Sequence, residues 1–184
     1  MNREEAFTLL KEYLDSDSLI KHSLSVEACM NWYARSLNED VEKWSITGLL
    51  HDFDYEKYPD PEQGGHPYAG NKILKDLNVD PEICEAIMGH ALYTNVPRNS
   101  LMAKYLFACD ELSGLVYACV LVRPDRDINN LEVKSVKKKL KDKAFARGVS
   151  REDISLGLSE IGLDLDLHIS NVIAAMRENK DNLF

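Results

Sequence analysis

Apolar residues recur every three or four positions along most of this chain, and no strand-length run alternates apolar with polar residues. A period near 3.6 gathers one residue type onto one stripe of a helix, so the pattern specifies helices that each bury one face. The expected fold is all-α and compact, with about seven to nine helices. Helices are expected over about 3–14, 19–37, 39–53, a stretch opening at Pro67, a stretch opening at Asp80-Pro81-Glu82 that carries Ile83, Ile87 and His90, 100–122, 132–146, a stretch opening at Ser150, and 164–179. Apolar stripes fall at Val26, Cys29, Met30, Tyr33 and Leu37 in the second helix, and at Leu165, Ile169, Val172, Ile173 and Met176 in the last. Start signals support several of these: Asp80-Pro81-Glu82 offers a cap, a first-turn proline and an acid, and Ser100 or Asn99, then Ser150, offer further caps. Gly48 costs helix stability, which predicts that another backbone or a ligand comes close to it. Residues 54–66 form the longest loop and leave His66 just before a helix start.

Length and composition narrow the class. A chain of 184 residues fits one domain with its own core. A net charge of −9 argues against a stable complex with nucleic acid, which is held by neutralising phosphates. No stretch reaches the roughly 20 apolar residues of a membrane span, and Met1-Asn2-Arg3-Glu4-Glu5 is not a signal peptide. A cytoplasmic protein that binds no membrane is expected. The four cysteines, Cys29, Cys84, Cys109 and Cys119, make no Cys-x-x-Cys pair and read as buried thiols.

Against this background, His22, His51-Asp52, His66, His90 and Asp110 form an ordered series that uses four of the five histidines. A single histidine on an apolar stripe is as a rule a core residue. Several of them, with a His-Asp doublet and an aspartate in so apolar a helix as about 100–122, leave many polar atoms to satisfy, and one shared cation would satisfy them together. Imidazole nitrogens and carboxylate oxygens from separate segments are what a transition-metal site requires, and a carboxylate can bridge two ions. Adjacent positions diverge by about 100° on a helix, so His51 and Asp52 converge only on an ion near the helix end. Asp110 has a competing reading, turned outward with Glu111 onto solvent. His168 shares a face with Asp164, Asn171 and Ala175, away from the apolar stripe, and is expected to be exposed and not a ligand.

The ordered pattern His22, His51-Asp52, Asp110, preceded by Thr47-Gly48-Leu49-Leu50, resembles the HD superfamily of metal-dependent phosphohydrolases. The resemblance covers about 19–122 as the catalytic core, with 132–179 as accessory helices of a single HD-type domain over 1–184. It implies an HD-domain fold with the metal site in its helical core. It implies a first metal at His22, His51, Asp52 and Asp110, and a second at His66 and His90 with Asp52 bridging as the catalytic carboxylate. The chain departs from some dinuclear members in having His90-Ala91 in place of a His-His pair, and a lysine common after the doublet is represented by Lys57 or not at all. One or two divalent transition metals are implied, iron or manganese first, with zinc, cobalt or nickel as other options. The implied reaction is attack of metal-activated water on a small phosphoester, a nucleotide among the options. The resemblance also admits a diiron oxygenase, or a metal-stabilised module that binds nucleotide without turnover. No substrate-binding residue and no oligomeric state is legible. Asp54, Tyr55, Glu56 and Glu111 are candidates to orient a ligand or move a proton. The lysine run from Lys134 to Lys143, with Arg123 and Arg126, reads first as a solvated face and second as an attractor of phosphorylated substrate.

Overall fold

A computed structural model describes residues 1–184 as ten α-helices with three short 3-10 turns and no strand. The helices are α1 (Arg3–Tyr13), α2 (Asp17–Leu37), α3 (Val41–Leu50), α4 (Tyr68–Asp76), α5 (Pro81–His90), α6 (Leu101–Leu121), α7 (Val133–Lys141), α8 (Arg151–Ile161), α9 (Leu165–Glu178) and α10 (Lys180–Leu183). The ends follow local chemistry. Asn2 and Glu5 close a capping box on α1, and Asp40, Asp80, Ser100, Ser150 and Asp164 each accept a first-turn N–H. Asn38 ends α2 in left-handed backbone at φ 59°.

The two long helices, α2 and α6, lie against each other at the centre, with α3, α5, α8 and α9 around them. One core cluster runs from Ala6 to Leu183 and includes Val26, Met30, Trp44, Leu106, Leu112, Val136, Ile169 and Met176. All four cysteines are buried and unpaired. Gly48 is where the sequence placed a close approach: a Cβ there would lie 3.0 Å from both Cα and N of Glu27 on α2. Gly157 plays the same part for α8, since its Cβ would lie 2.7 Å from Cα of Ala108 on α6. No helix is long and apolar enough to cross a membrane.

Three expectations need correction. His168 is fully buried: its Nε2–H donates to the Ala108 carbonyl at 2.9 Å, and its Nδ1 lies 2.6 Å from the Tyr33 hydroxyl. It therefore ties α9 to α6 and α2, and burial lowers its pKa. Helix α3 stops at Leu50, and 51–57 run as tight turns. Helix α7 stops at Lys141, where Asp142 takes extended backbone at ψ 96°, and the carbonyls of Asp142 and Phe145 beyond it accept from Arg151.

Candidate metal centre

The six residues of the series arrive on five separate pieces of backbone, with His51 and Asp52 sharing one. His22 lies on α2 one turn before Val26, His51 and Asp52 follow the end of α3, His66 precedes α4, His90 ends α5 and Asp110 lies in the middle of α6. Their ligand atoms gather as two triads, His22–His51–Asp110 and Asp52–His66–His90. In the first, His22 Nε2 lies 3.2 Å from His51 Nε2 and 3.0 Å from Asp110 Oδ1. In the second, His66 Nε2 and His90 Nε2 are 3.2 Å apart. Asp52 stands between them. Its Oδ1 lies 3.3 Å from His66 Nε2 and 3.2 Å from His90 Nε2, and its Oδ2 lies 3.4 Å from His51 Nε2 and 3.7 Å from His22 Nε2. The turns after Leu50 let the doublet converge where a straight helix would splay it.

The rear nitrogens of three rings are already engaged. His51 Nδ1–H donates to the Gly48 carbonyl at 2.8 Å, and His90 Nδ1–H donates to the Ile87 carbonyl. His66 Nδ1–H donates to Asp54 Oδ1 at 2.7 Å, and Asp54 Oδ2 accepts the Gly70 N–H at 2.6 Å. Asp54 thus takes the anion-favouring N-terminus of α4 and passes its hold to His66. Locking Nδ1 this way aims each Nε2 into the cavity.

Electrostatics show what the cluster needs. Burial works against charge on His51, yet the Asp52 and Asp110 carboxylates outweigh it and lift the ring to about 9. His90 rises for the same balance of burial against Asp52. Burial raises Asp52 and Asp110, but the imidazoles beside them win and hold both well below the usual carboxylate range. So much negative charge and so many facing nitrogens must be neutralised by protons or by cations. A mixed nitrogen and oxygen donor set fits manganese, iron, cobalt, nickel or zinc better than the all-oxygen preference of magnesium or calcium. The residues present fit one or two divalent ions.

The triads open on a cavity of about 420 Å³ whose wall also includes Tyr55, Leu92, Tyr93, Phe107, Glu111, Gly148 and Asp153. A larger groove of about 620 Å³ between α4 and α5 holds neither triad. Chemistry, not size, selects the smaller cavity. Asp110 and Glu111 both turn inward, which settles the competing solvent-facing reading. Burial, then the charge of Asp110, raises the Glu111 carboxyl to about 7. Tyr93 donates to the His66 carbonyl at 2.9 Å. Of the candidate supporting residues, Asp54 orients His66, while Tyr55 and Glu111 line the cavity. Glu56 instead accepts the N–H groups of Asp15 and Ser16 at the start of α2. Lys57 donates to the Glu12 carbonyl and lies over the Tyr13 ring, away from the cavity. No lysine or arginine lines the cavity, so the run at 134–143 does not meet it. Sequence reading did not find Leu92, Tyr93, Phe107, Gly148 or Asp153 as wall residues, because no spacing rule marks a loop that folds back from a distant helix.

An all-helical core enclosing paired His/Asp triads defines a metal-binding helical protein. The particular family follows from comparison: the sequence model of the HD domain matches residues 19–115, more than half of the chain, and the chain belongs to that family. The triads are those typical of HD-type phosphohydrolases. The chain is also similar to ribonuclease Y of Nitratidesulfovibrio vulgaris strain DP4, 33% identical over 100 residues, which is 54% of this chain and 18% of that protein. Ribonuclease Y of Lawsonia intracellularis strain PHE/MN1-00 gives 33% over 100 residues, 54% of this chain and 19% of that protein. The chain therefore spans less than a fifth of the length of these relatives. No solved structure matches it.

Proposed function

We propose that this protein is a metal-dependent phosphohydrolase that cleaves a small phosphoester, a nucleotide being one form it could take. The observation that carries the reading is Asp52, whose two oxygens each face a different triad. In this reading His22, His51 and Asp110 would hold one ion and His66 and His90 another, with Asp52, whose oxygens face both groups, contributing to both as the catalytic carboxylate. Divalent iron or manganese is the first choice for both positions, with zinc, cobalt and nickel able to use the same donors. Such ions supply Lewis acidity, bringing water toward ionisation at neutral pH and stabilising charge on phosphoryl oxygens.

The chain's own residues do the placing. The carbonyls of Gly48 and Ile87 and the carboxylate of Asp54 fix three imidazoles with their Nε2 atoms forward. Phe107, Leu92 and Tyr93 give the cavity wall its apolar part. The name of the ribonuclease relatives makes a phosphodiester one candidate bond. The absence of lysine and arginine from the cavity wall and the net charge of −9 favour a small substrate over a long polyanion. We further propose that 1–184 works as one HD-type unit, supported by a core cluster that draws on both ends of the chain.

The test is phosphate release from a panel of nucleotides and simple phosphoesters by protein loaded with manganese or iron. Asp52→Asn keeps size and removes the bridging charge, so it should lower kcat by about a hundredfold or more while the helical circular dichroism is unchanged. Full activity in that variant would defeat the bridging assignment.

A further inference from the structure

Arg151 is the first residue of α8, where its charge meets the positive end of the helix dipole. Its guanidinium turns back onto the segment after α7. Nε donates to the Leu140 carbonyl at 3.5 Å, Nη1 to those of Ala146 and Val149 at 2.7 Å each, and Nη2 to those of Asp142 at 3.2 Å and Phe145. A guanidinium has five N–H donors. All are used, each on a different main-chain carbonyl, and none on a carboxylate. The charge also sits at the C-terminal end of α7, where it is favoured. Such an arginine is not waiting for an anion. It cross-links a stretch that has no regular structure of its own and in which Ala146 takes left-handed backbone at φ 44°.

That stretch is part of the metal cavity. Gly148 forms wall, as does Asp153 just beyond. The Val149 side chain comes within 3.9 Å of where a Cβ on Gly114 would sit, so the segment runs along α6 one turn beyond Asp110. Ser150 N–H donates to Glu111 Oε2 at 3.0 Å, fastening the segment to α6 beside Asp110. Helix α8 itself rests backbone to backbone on α6 at Gly157 and Ala108.

We propose that Arg151 is a positioning residue, stapling 142–150 into the fixed wall that bounds the cavity beside Glu111 and shapes the space for the substrate's organic part. The proposal rests on the hydrolase reading above. Lysine, a point charge with three donors, cannot reproduce the five-carbonyl fork.

The test uses the full chain loaded with manganese, as wild type, Arg151→Lys and Arg151→Ala, with p-nitrophenyl phosphate as substrate. Both variants should keep their metal content, lose amide-exchange protection over 145–150, and show a KM raised about tenfold with a smaller change in kcat. Free guanidinium ion should restore protection and KM in Arg151→Ala. A raised KM with unchanged exchange would mean that Arg151 meets the substrate directly, and would overturn the staple. Lost protection with KM and kcat unchanged, or loss of metal, would overturn it too. If Arg151→Ala does not fold, Arg151→Lys decides by the same readings. If the wild type releases neither p-nitrophenol nor phosphate from any member of the nucleotide and phosphoester panel, the hydrolase reading fails. The staple is then still read by amide exchange and by the affinity of inorganic phosphate for the loaded protein, expected to weaken about tenfold.

Discussion

Asp54 shows how far the support of a single imidazole reaches. Its carboxylate is 1% exposed and is shared between the His66 ring and the Gly70 amide. A Cβ on Gly70 would lie 2.7 Å from Asp54 Cγ, so Gly70→Ala must push the carboxylate off both partners. The expected result is about 10–100-fold weaker metal binding at the His66–His90 half, with the His22–His51–Asp110 half little changed, read by metal titration. His168 carries the second residue-scale prediction. It is neutral when folded, with a pKa lowered from 6.5 by burial. Above pH 6.5 both folded and unfolded forms are neutral, and its bonds to Ala108 and Tyr33 contribute in full. As pH falls through 6.5 the unfolded chain takes the proton first, so that contribution shrinks until the lowered folded pKa is passed. His168→Phe should therefore cost about 2 kcal/mol in urea unfolding at pH 8, and visibly less at pH 5.5. A gap that widens with acid would mean the ring is charged when folded. The ligand series was legible because unlike segments each spent a rare histidine. His168 lies at the border of the apolar stripe, four residues before Val172; grouping it with Asp164 and Asn171 points it to solvent, and only the third dimension supplies Tyr33 and the Ala108 carbonyl.

At the scale of the element, glycines set how near the ligand-bearing helices come. The cost of Gly48 inside α3 announced a close approach, and the approach is to the backbone of Glu27. Gly48→Ala gains about 1 kcal/mol of helix propensity. It also presses a methyl group against main chain that cannot rotate away, and overpacking of that kind costs about 1–3 kcal/mol. The net expectation is lower stability by urea unfolding, with a weaker first metal, because His22 and His51 sit on the two segments being separated. A gain in stability would mean that α2 and α3 pack loosely. Helix ends were less legible than helix bodies. The caps at Asp80, Ser100 and Ser150 obey local rules. The early ends of α3 and α7 carry no such local signal; each is followed by irregular chain tied into the rest of the fold, the turns that hold the His51-Asp52 doublet and the segment whose carbonyls accept from Arg151.

For the whole molecule, the central claim is that five helices and their connections converge on one dinuclear cavity. Net acidity was legible as a count, but the lack of lysine and arginine in the cavity wall was not, since the sequence left the Lys134–Lys143 run, Arg123 and Arg126 open as attractors of a phosphorylated substrate. Substrate shape was not legible, because the wall is assembled from the 90–93 turn, α6 and the segment leading into α8, which share no pattern. The measurement that tests the claim most directly is metal content by elemental mass spectrometry, on untagged protein purified without chelator. The account predicts about two equivalents of iron or manganese per chain, one for each triad. No metal, even after anaerobic reconstitution with either ion, would contradict it.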